Sequence, residues 1–330
     1  MFRSAFTIGA IGLGIVLNPL DAAPAGAQDW PARPVTIVIP FAAGSGSDIV
    51  GRILAPHISE LLGRPVIVEN VGVAGGITAV SRVARAAPDG YQIVLGTAGT
   101  HSVNQSLYKR LPYNAAADFA PVALTVEQPI AVIARPDLPV NGLQDLLSYM
   151  KANRARMQFG SPGIGTTPHL ACVLLNASIG VDITHVPYRG AGPAMQDLMA
   201  GRIDYQCAAF APVIPQIESN LVKAIALLKR TRSPILPTLA TAHEQGLTDF
   251  EAVTWYAFFL PKGTPKAIVQ KLNEVTVATM NMPAVQQRLK EVGSEPVAPD
   301  RRSPEYLQGF VVSEIKKWAA AVKASGVSID

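Results

Sequence analysis

The stretch VTIVIPFAAGSGSDIVGRIL, residues 35–54, carries an apolar run through a turn of small residues directly into a helical pattern, and MQFGSPGIGTTPHL, residues 157–170, does so again. A strand that ends in a glycine turn and opens a helix is the entry to a right-handed crossover, so a chain that does this twice is expected to be α/β, with parallel strands covered on both faces. Backbone N–H groups at the start of each helix are free, which makes such turns receptive to anions. Ligands of these sheets sit beyond the carboxyl ends of the strands. Either turn alone reads as no more than a tight connection. The pair, with GTAGTHS at 96–102 as a third small-residue segment, points to a shared cleft.

Periodicity fills in the rest. VIVEN (66–70) and YQIVLGT (91–97) read as further strands, with a helix between the first strand and VIVEN whose apolar face carries Ile49, Ile53, His57 or Ile58, and Leu61 or Leu62. Pro56 should kink that helix, and Gly63 should close it. The second unit comprises PIAVIAR (129–135), a helix near 142–152, MQFGS (157–161), a helix capped by Thr167 with Pro168 first, DITHVPY (182–188), a helix over 192–201, and IDYQCAAF (203–210). VALTVEQPIAV (122–132) and EAVTWYAFFLP (251–261) are extended and lie where the chain passes between units, so they are expected to pair as crossing hinge strands. Helices from Pro265, Ala284 and Pro304 end the chain. The last should return Leu307, Val311, Ile315, Trp318 and Val322 to the first unit. The expected division is residues 1–27 as a leader, 28–128 with 254–330 as domain 1, and 129–253 as domain 2.

The leader reading rests on Arg3, an apolar stretch from Ala5 to Leu17, and Ala25-Gly26-Ala27 before Gln28: a secretory signal peptide cleaved after Ala27, with an N-terminal membrane anchor as the plainer alternative. Export to the periplasm argues against a dinucleotide enzyme, and so does the turn. Gly44 and Gly46 begin G-x-G-x-x-G, but position 49 is Ile, and Asp48 puts negative charge where a pyrophosphate would lie. With 49% hydrophobic and 16% charged residues and a formal charge of +4, the chain suits a soluble protein and an anionic ligand. Its Lys and Arg are scattered, which gives no nucleic-acid stripe. No H-E-x-x-H occurs and the five His residues lack metal spacing, so neither metal nor cofactor is expected. A secreted serine hydrolase acting on a carboxylic ester, through Ser45 or Ser161, is the alternative from another class, but AGSGS lacks the first glycine of G-x-S-x-G. Cys172 lies within a helix, a poor place for a nucleophile. The two cysteines, Cys172 and Cys207, both fall in domain 2 and would meet an oxidising compartment, which favours a disulfide over two buried thiols.

RPVTIVIPFAAGSGSDIVGRIL, GRPVIVENVGVAGGITA, PDGYQIVLGT, FGSPGIGTTPHL, VPYRGAGPAMQDLMAGRID and FFLPKGTP, in that order, make the chain resemble the substrate-binding proteins of tripartite tricarboxylate transporters, the Bug family of periplasmic receptors. The resemblance implies a type II periplasmic-binding-protein fold, a monomeric flytrap of two α/β lobes that closes on a small carboxylate and hands it to two membrane subunits. It implies a first carboxylate-holding loop at Phe41, Ala42, Ala43, Gly44, Ser45 and Asp48, with Asp48 acting through ordered water. The second loop would be Ser161, Pro162, Gly163, Gly165, Thr166 and Thr167. Thr97, Thr100 and His101 are candidates for the side of the pocket and Asp204 for a contribution from domain 2. Arg189 is either an anion partner or a cap on its own turn. Ser45, where relatives often carry glycine, and Pro56, in a helix usually free of proline, depart from the family pattern.

Overall fold

In the computed structural model, which describes residues 30–72, 74–248 and 250–325, the strand-turn-helix units fall where the sequence puts them. The expected leader and its cleavage after Ala27 lie outside the described residues. The chain runs β1 (Val35–Ile39), α1 (Gly46–Leu62), β2 (Val66–Asn70), α2 (Ile77–Ala84), β3 (Gln92–Thr97) and α3 (Asn104–Leu107), then crosses on β4 (Phe119–Ala134). It continues through α4 (Leu143–Asn153), β5 (Gln158–Ser161), α5 (Thr167–Ser178), β6 (Thr184–Pro187), α6 (Ala191–Met199), β7 (Tyr205–Ala209), α7 (Ile214–Glu218) and β8 (Lys223–Leu227). It returns on β9 (Val253–Pro261) and ends with α8 (Lys266–Asn281), α9 (Pro283–Glu291), β10 (Glu295–Pro296) and α10 (Pro304–Ser325).

The strands are ordered β2-β1-β3-β9-β4-β7-β5-β6, with β8 and β10 also paired to β4. β1 is parallel to β2 and β3, and β5 is parallel to β6 and β7. The crossing pair is antiparallel: β4 lies against β9 from Phe119↔Pro261 to Pro129↔Val253, then takes β7 and β8 as neighbours from Ile130 or Ala131 onward. The segments 122–132 and 129–135 are therefore one strand of 16 residues, with Pro129 inside it. The half holding β1–β3 and β9 is the first lobe, and that holding β5–β8 the second.

Each lobe buries apolar residues on both sheet faces, which is why its strands read as continuous apolar runs. In the first lobe Ile37, Ile39, Leu95 and Phe258 pack with α1 and α8, whereas Val38, Val94, Trp255 and Phe259 pack on the other face with Leu307 and Val311 of α10. In the second, Ile130, Val132 and Phe159 face one way, Ala131, Ile133 and Phe210 the other. α1 runs through Pro56 as one helix, with Leu54, Ala55 and Ile58 around it buried, and Gly63 closes it at φ 66°. α10 departs from expectation beyond Ile315. Trp318 and Val322 pack with Val103 and Leu107 of the first lobe and with Leu170 of α5, so the helix bridges both lobes. Cys172 of α5 and Cys207 of β7 form a disulfide, with Cα atoms 5.4 Å apart and a sequence separation of 35. Among the described residues, no helix is long and apolar enough to cross a membrane.

Candidate functional site

The first glycine turn is held by its own helix start. Ser45 has extended backbone and its Oγ accepts the Asp48 N–H at 3.3 Å, an N-cap. Gly44 stands at φ 79°, where side chains are disfavoured. Asp48 turns away from the cleft: its carboxylate accepts from Gly44 N, Arg52 Nε and Asn70 Nδ2, each at 2.9 Å. Asn70 also donates to Phe41 O at 3.0 Å, so the turn is bracketed from behind. A water-linked ligand role would put Asp48 on the cleft, whereas its carboxylate already accepts three hydrogen bonds from protein groups behind the turn. Burial opposes its charge, yet the hydrogen bonds from Gly44, Arg52 and Asn70 outweigh burial and hold the carboxyl below its ordinary value of 3.8. A depressed folded-state value contributes stability above 3.8 that is lost as pH falls through the lowered value. Acid titration is therefore expected to loosen this turn only below about pH 4, and Asp48→Asn should cost about 1–3 kcal/mol at pH 7. Chemical denaturation of both proteins at pH 7 and pH 3 checks this; a difference that does not shrink in acid overturns it.

The second turn is built similarly. Gly163 and Gly165 have φ of 139° and 82°. The cap is Thr166, one residue before the expected Thr167: its Oγ1 accepts the His169 N–H at 3.3 Å and donates to Gly163 O at 2.8 Å. Ser161 lies behind the turn, buried, its Oγ accepting the Gly163 N–H at 3.2 Å and meeting His185 Nε2 at 2.8 Å. His185 and His169 are tilted together at 4.3 Å between ring centroids. Burial pushes them down to about 4 and about 3, respectively, with the neighbouring His185 adding to the effect on His169, so both are neutral at pH 7.

Between the lobes lies a cavity of about 360 Å³. The first two residues of α1 (Gly46, Ser47), α5 (Thr167, Pro168) and α6 (Ala191, Gly192) all line it, which brings three helix N-termini to one space. Ser45, Thr97, Thr166, Thr254 and Tyr256 add hydroxyl-bearing residues, and Met195, Gln196, Met199, Gln206, Ala208, Pro212, Val213 and Gln216 form much of the second-lobe wall. Among the described residues, none that lines it carries a carboxylate, ammonium, guanidinium or imidazole group. Burial pushes the Tyr256 phenol up, so it stays protonated, and it donates to Gln128 Oε1 at 3.0 Å.

Of the residues singled out in the sequence, Phe41, Gly44, Ser45, Thr97, Pro162, Thr166 and Thr167 line this cavity. Ala42, Ala43, Gly163 and Gly165 shape the turns without lining it, and Arg189 is exposed beside the lining residue Gly190. Besides Asp48, three more candidates lie away from the cavity. Thr100 is fully buried, its Oγ1 accepting the Thr97 N–H at 2.9 Å and lying 2.9 Å from His101 Nδ1. His101 is buried in the first-lobe core, stacked on Phe259 at 4.0 Å, and burial lowers its pKa to about 3. Asp204 sits at the amino end of β7, away from the cavity-lining Ala208 and Ala209, and is held by Arg135 Nε at 3.0 Å and Gln158 N at 2.8 Å. The sequence reading missed Thr254 and Tyr256 on β9 and the wall from α6 to α7. Gly192, Met195, Gln196 and Met199 repeat at i, i+3, i+4, i+7, a signal that reads equally well as core.

A profile of the tripartite tricarboxylate transporter family receptor (TctC) matches residues 50–327. Protein BugT of Bordetella pertussis is 32% identical over 323 residues, spanning 98% of both chains. Among solved structures, the periplasmic binding protein BugD superposes with a TM-score of 0.87 at 40% identity, covering 91% of this chain and 99% of its own. MatC from Rhodopseudomonas palustris, solved with bound malate, gives 0.85 at 37% identity, covering 89% and 100%. The fold is that of these periplasmic binding proteins. With a profile match over most of its length and relatives above 30% identity along nearly the whole chain, the protein belongs to the TctC family of tripartite tricarboxylate transporter receptors.

Proposed function

We propose that this chain is an exported receptor that binds a small carboxylate between its lobes and delivers it, as a monomer, to the two membrane subunits of a tripartite tricarboxylate transporter. The carrying observation is the convergence of three helix N-termini on a cavity with no charged side chain in its lining among the described residues. Aligned peptide dipoles place partial positive charge there, and free N–H groups can bond an anion without a lysine or arginine. The malate bound by MatC is a ligand of this chemistry. The glycine loops, with Phe41, Gly44, Ser45, Pro162, Thr166 and Thr167, are the assigned carboxylate contacts. The site favours binding over turnover. Ser45 Oγ meets Ser47 Oγ and the Asp48 N–H rather than a base, and Ser161, which does meet His185, is buried behind the turn.

A thermal-shift panel of carboxylic acids on the mature, ligand-stripped protein tests this. A cognate acid at 100 times its Kd should add about 2.7 kcal/mol of stability, and its methyl ester should add little. Esters that stabilise as well as their acids, or a panel with no stabilising acid, would overturn the reading.

A further inference from the structure

If the chain is a carboxylate receptor, its second glycine turn works on two sides. Pro162, Thr166 and Thr167 line the cavity. The other side, at Ile164 and Gly165, meets the first lobe. Tyr108 Oη donates to Ile164 O at 3.4 Å. Two glycines make room for this approach. A Cβ on Gly75 would stand closer to Ile164 O than two such atoms can come, and one on Gly99 would lie 3.0 Å from Gly165 O and 3.3 Å from Thr167 N. The fit is reciprocal, since a Cβ on Gly165 would fall 2.6 Å from Asn104 Oδ1 and 3.1 Å from Tyr108 Cε2. Beneath the turn, Leu170 of α5 packs with Val103, Leu107 and Trp318. The turn therefore lands backbone-first in a slot of the first lobe. Gly75, Gly99, Asn104 and Tyr108 form that slot, and none of these four lines the cavity.

We infer, resting on that receptor role, that the slot is a determinant of affinity outside the cavity: it positions the second anion-holding turn and stabilises the closed lobes without touching the ligand. The free N–H groups of α5 serve an anion only where α5 stands at the right distance from α1. A turn seated by its backbone against glycine sets that distance, because no flexible side chain lies between the lobes to give way. The slot joins residues on opposite sides of the crossing strands, so its contacts favour the closed form over the open one. Its strength then sets the fraction of closed form, and apparent affinity scales with that fraction by one common factor for every ligand on which the lobes close. Cavity residues act differently. They touch the ligand, so changing them alters the affinity of one acid relative to another.

Calorimetry and stopped-flow binding on the mature, ligand-stripped protein test this with the two tightest binders of a panel that includes malate, adipate, citrate and terephthalate. Gly75→Ala should weaken both acids about tenfold or more, by factors equal within about twofold. The loss should come from faster dissociation, with association within about threefold of the parent, because ligand enters the open form. Tyr108→Phe removes one hydroxyl and should weaken both acids about two- to fivefold. Gly75 stands at φ 60°, so alanine there also strains the first lobe and lowers the melting temperature of the free protein. Gly99→Ala separates the two effects. Gly99 lies in a helical turn without a positive φ, and the atoms nearest to a Cβ there, outside its own turn, all belong to the second lobe. It should speed dissociation of both acids while the free protein melts within about 2 °C of the parent. Unchanged dissociation in Gly99→Ala and Tyr108→Phe, or losses that differ by more than about threefold between the two acids, overturn the inference and leave the carboxylate receptor standing. If no acid of the panel binds the parent, the receptor reading itself fails and takes the inference with it.

Discussion

Gly46→Val is expected to weaken carboxylate binding by a hundredfold or more while the chain still folds. A Cβ built at Gly46 falls 2.4 Å from Tyr256 Oη and 2.5 Å from Gln128 Oε1, well inside contact distance. Neither atom is the loose end of a flexible side chain. Tyr256 and Gln128 are buried on the paired strands β9 and β4, joined to each other at 3.0 Å, and Gln128 Nε2 donates onward to Ser294 Oγ at 2.9 Å. The helix start must therefore retreat, carrying the Gly46 and Ser47 N–H groups away from the anion they are assigned to hold. Hydrogen bonds to a charged group contribute about 1.5–3 kcal/mol each, so losing two gives a hundredfold or more. Gly44→Ala makes a useful contrast, because a Cβ there meets no atom within 4 Å and only the φ of 79° is strained. Its cost should fall on stability, with a loss of affinity below about tenfold. Calorimetry with the best acid from the panel decides the matter: Gly46→Val binding within threefold of the parent would show that α1 does not hold the carboxylate.

The same turn illustrates how far a sequence can be read. The strand, the glycine turn and the helix of 35–62 are legible because each has a local cause: an apolar run, residues small enough for a tight turn, and a 3.6-residue period. Which way a first-turn side chain points is not. Successive helical residues differ by about 100° around the axis, so Ser47 lines the cavity while Asp48 turns to Asn70 of β2, a partner 22 residues away. His101 fails for a related reason. It lies in a five-residue π-helical turn, Gly99–Val103, whose wider winding carries the ring onto Phe259, and no residue pattern announces that turn. Asp204 belongs to the wrong end of its strand for a ligand role, since the cavity lies beyond Ala208. Trp318 and Val322 continue the apolar face of α10, and a periodicity cannot say that its last turns touch the other lobe as well as the first.

The disulfide yields the other large effect. Cys172→Ala with Cys207→Ala should lower stability by about 3–4 kcal/mol, because opening a 35-residue loop returns chain entropy to the unfolded state. For a chain of this size that corresponds to a fall in melting temperature on the order of 5–10 °C. The loss should be centred on the second lobe. Cys172 and Cys207 are fully buried in the cluster formed by Leu175, Tyr205 and Val132, so the bond ties α5 directly to β7. Both elements line the cavity, α5 through Thr167 and Pro168 and β7 through Gln206 and Ala208, on either side of Cys207 in the latter case. Removing the bond frees the second glycine turn to move relative to the second-lobe wall, so affinity should fall several-fold along with stability. A saturating ligand, which adds contacts across the same two elements, should restore part of the lost melting temperature. Thiol counting on denatured, unreduced protein from the periplasm should find no free thiol in the parent. Two free thiols there, or a double-alanine variant melting within about 2 °C of the parent, would show that the second lobe holds its shape by packing alone.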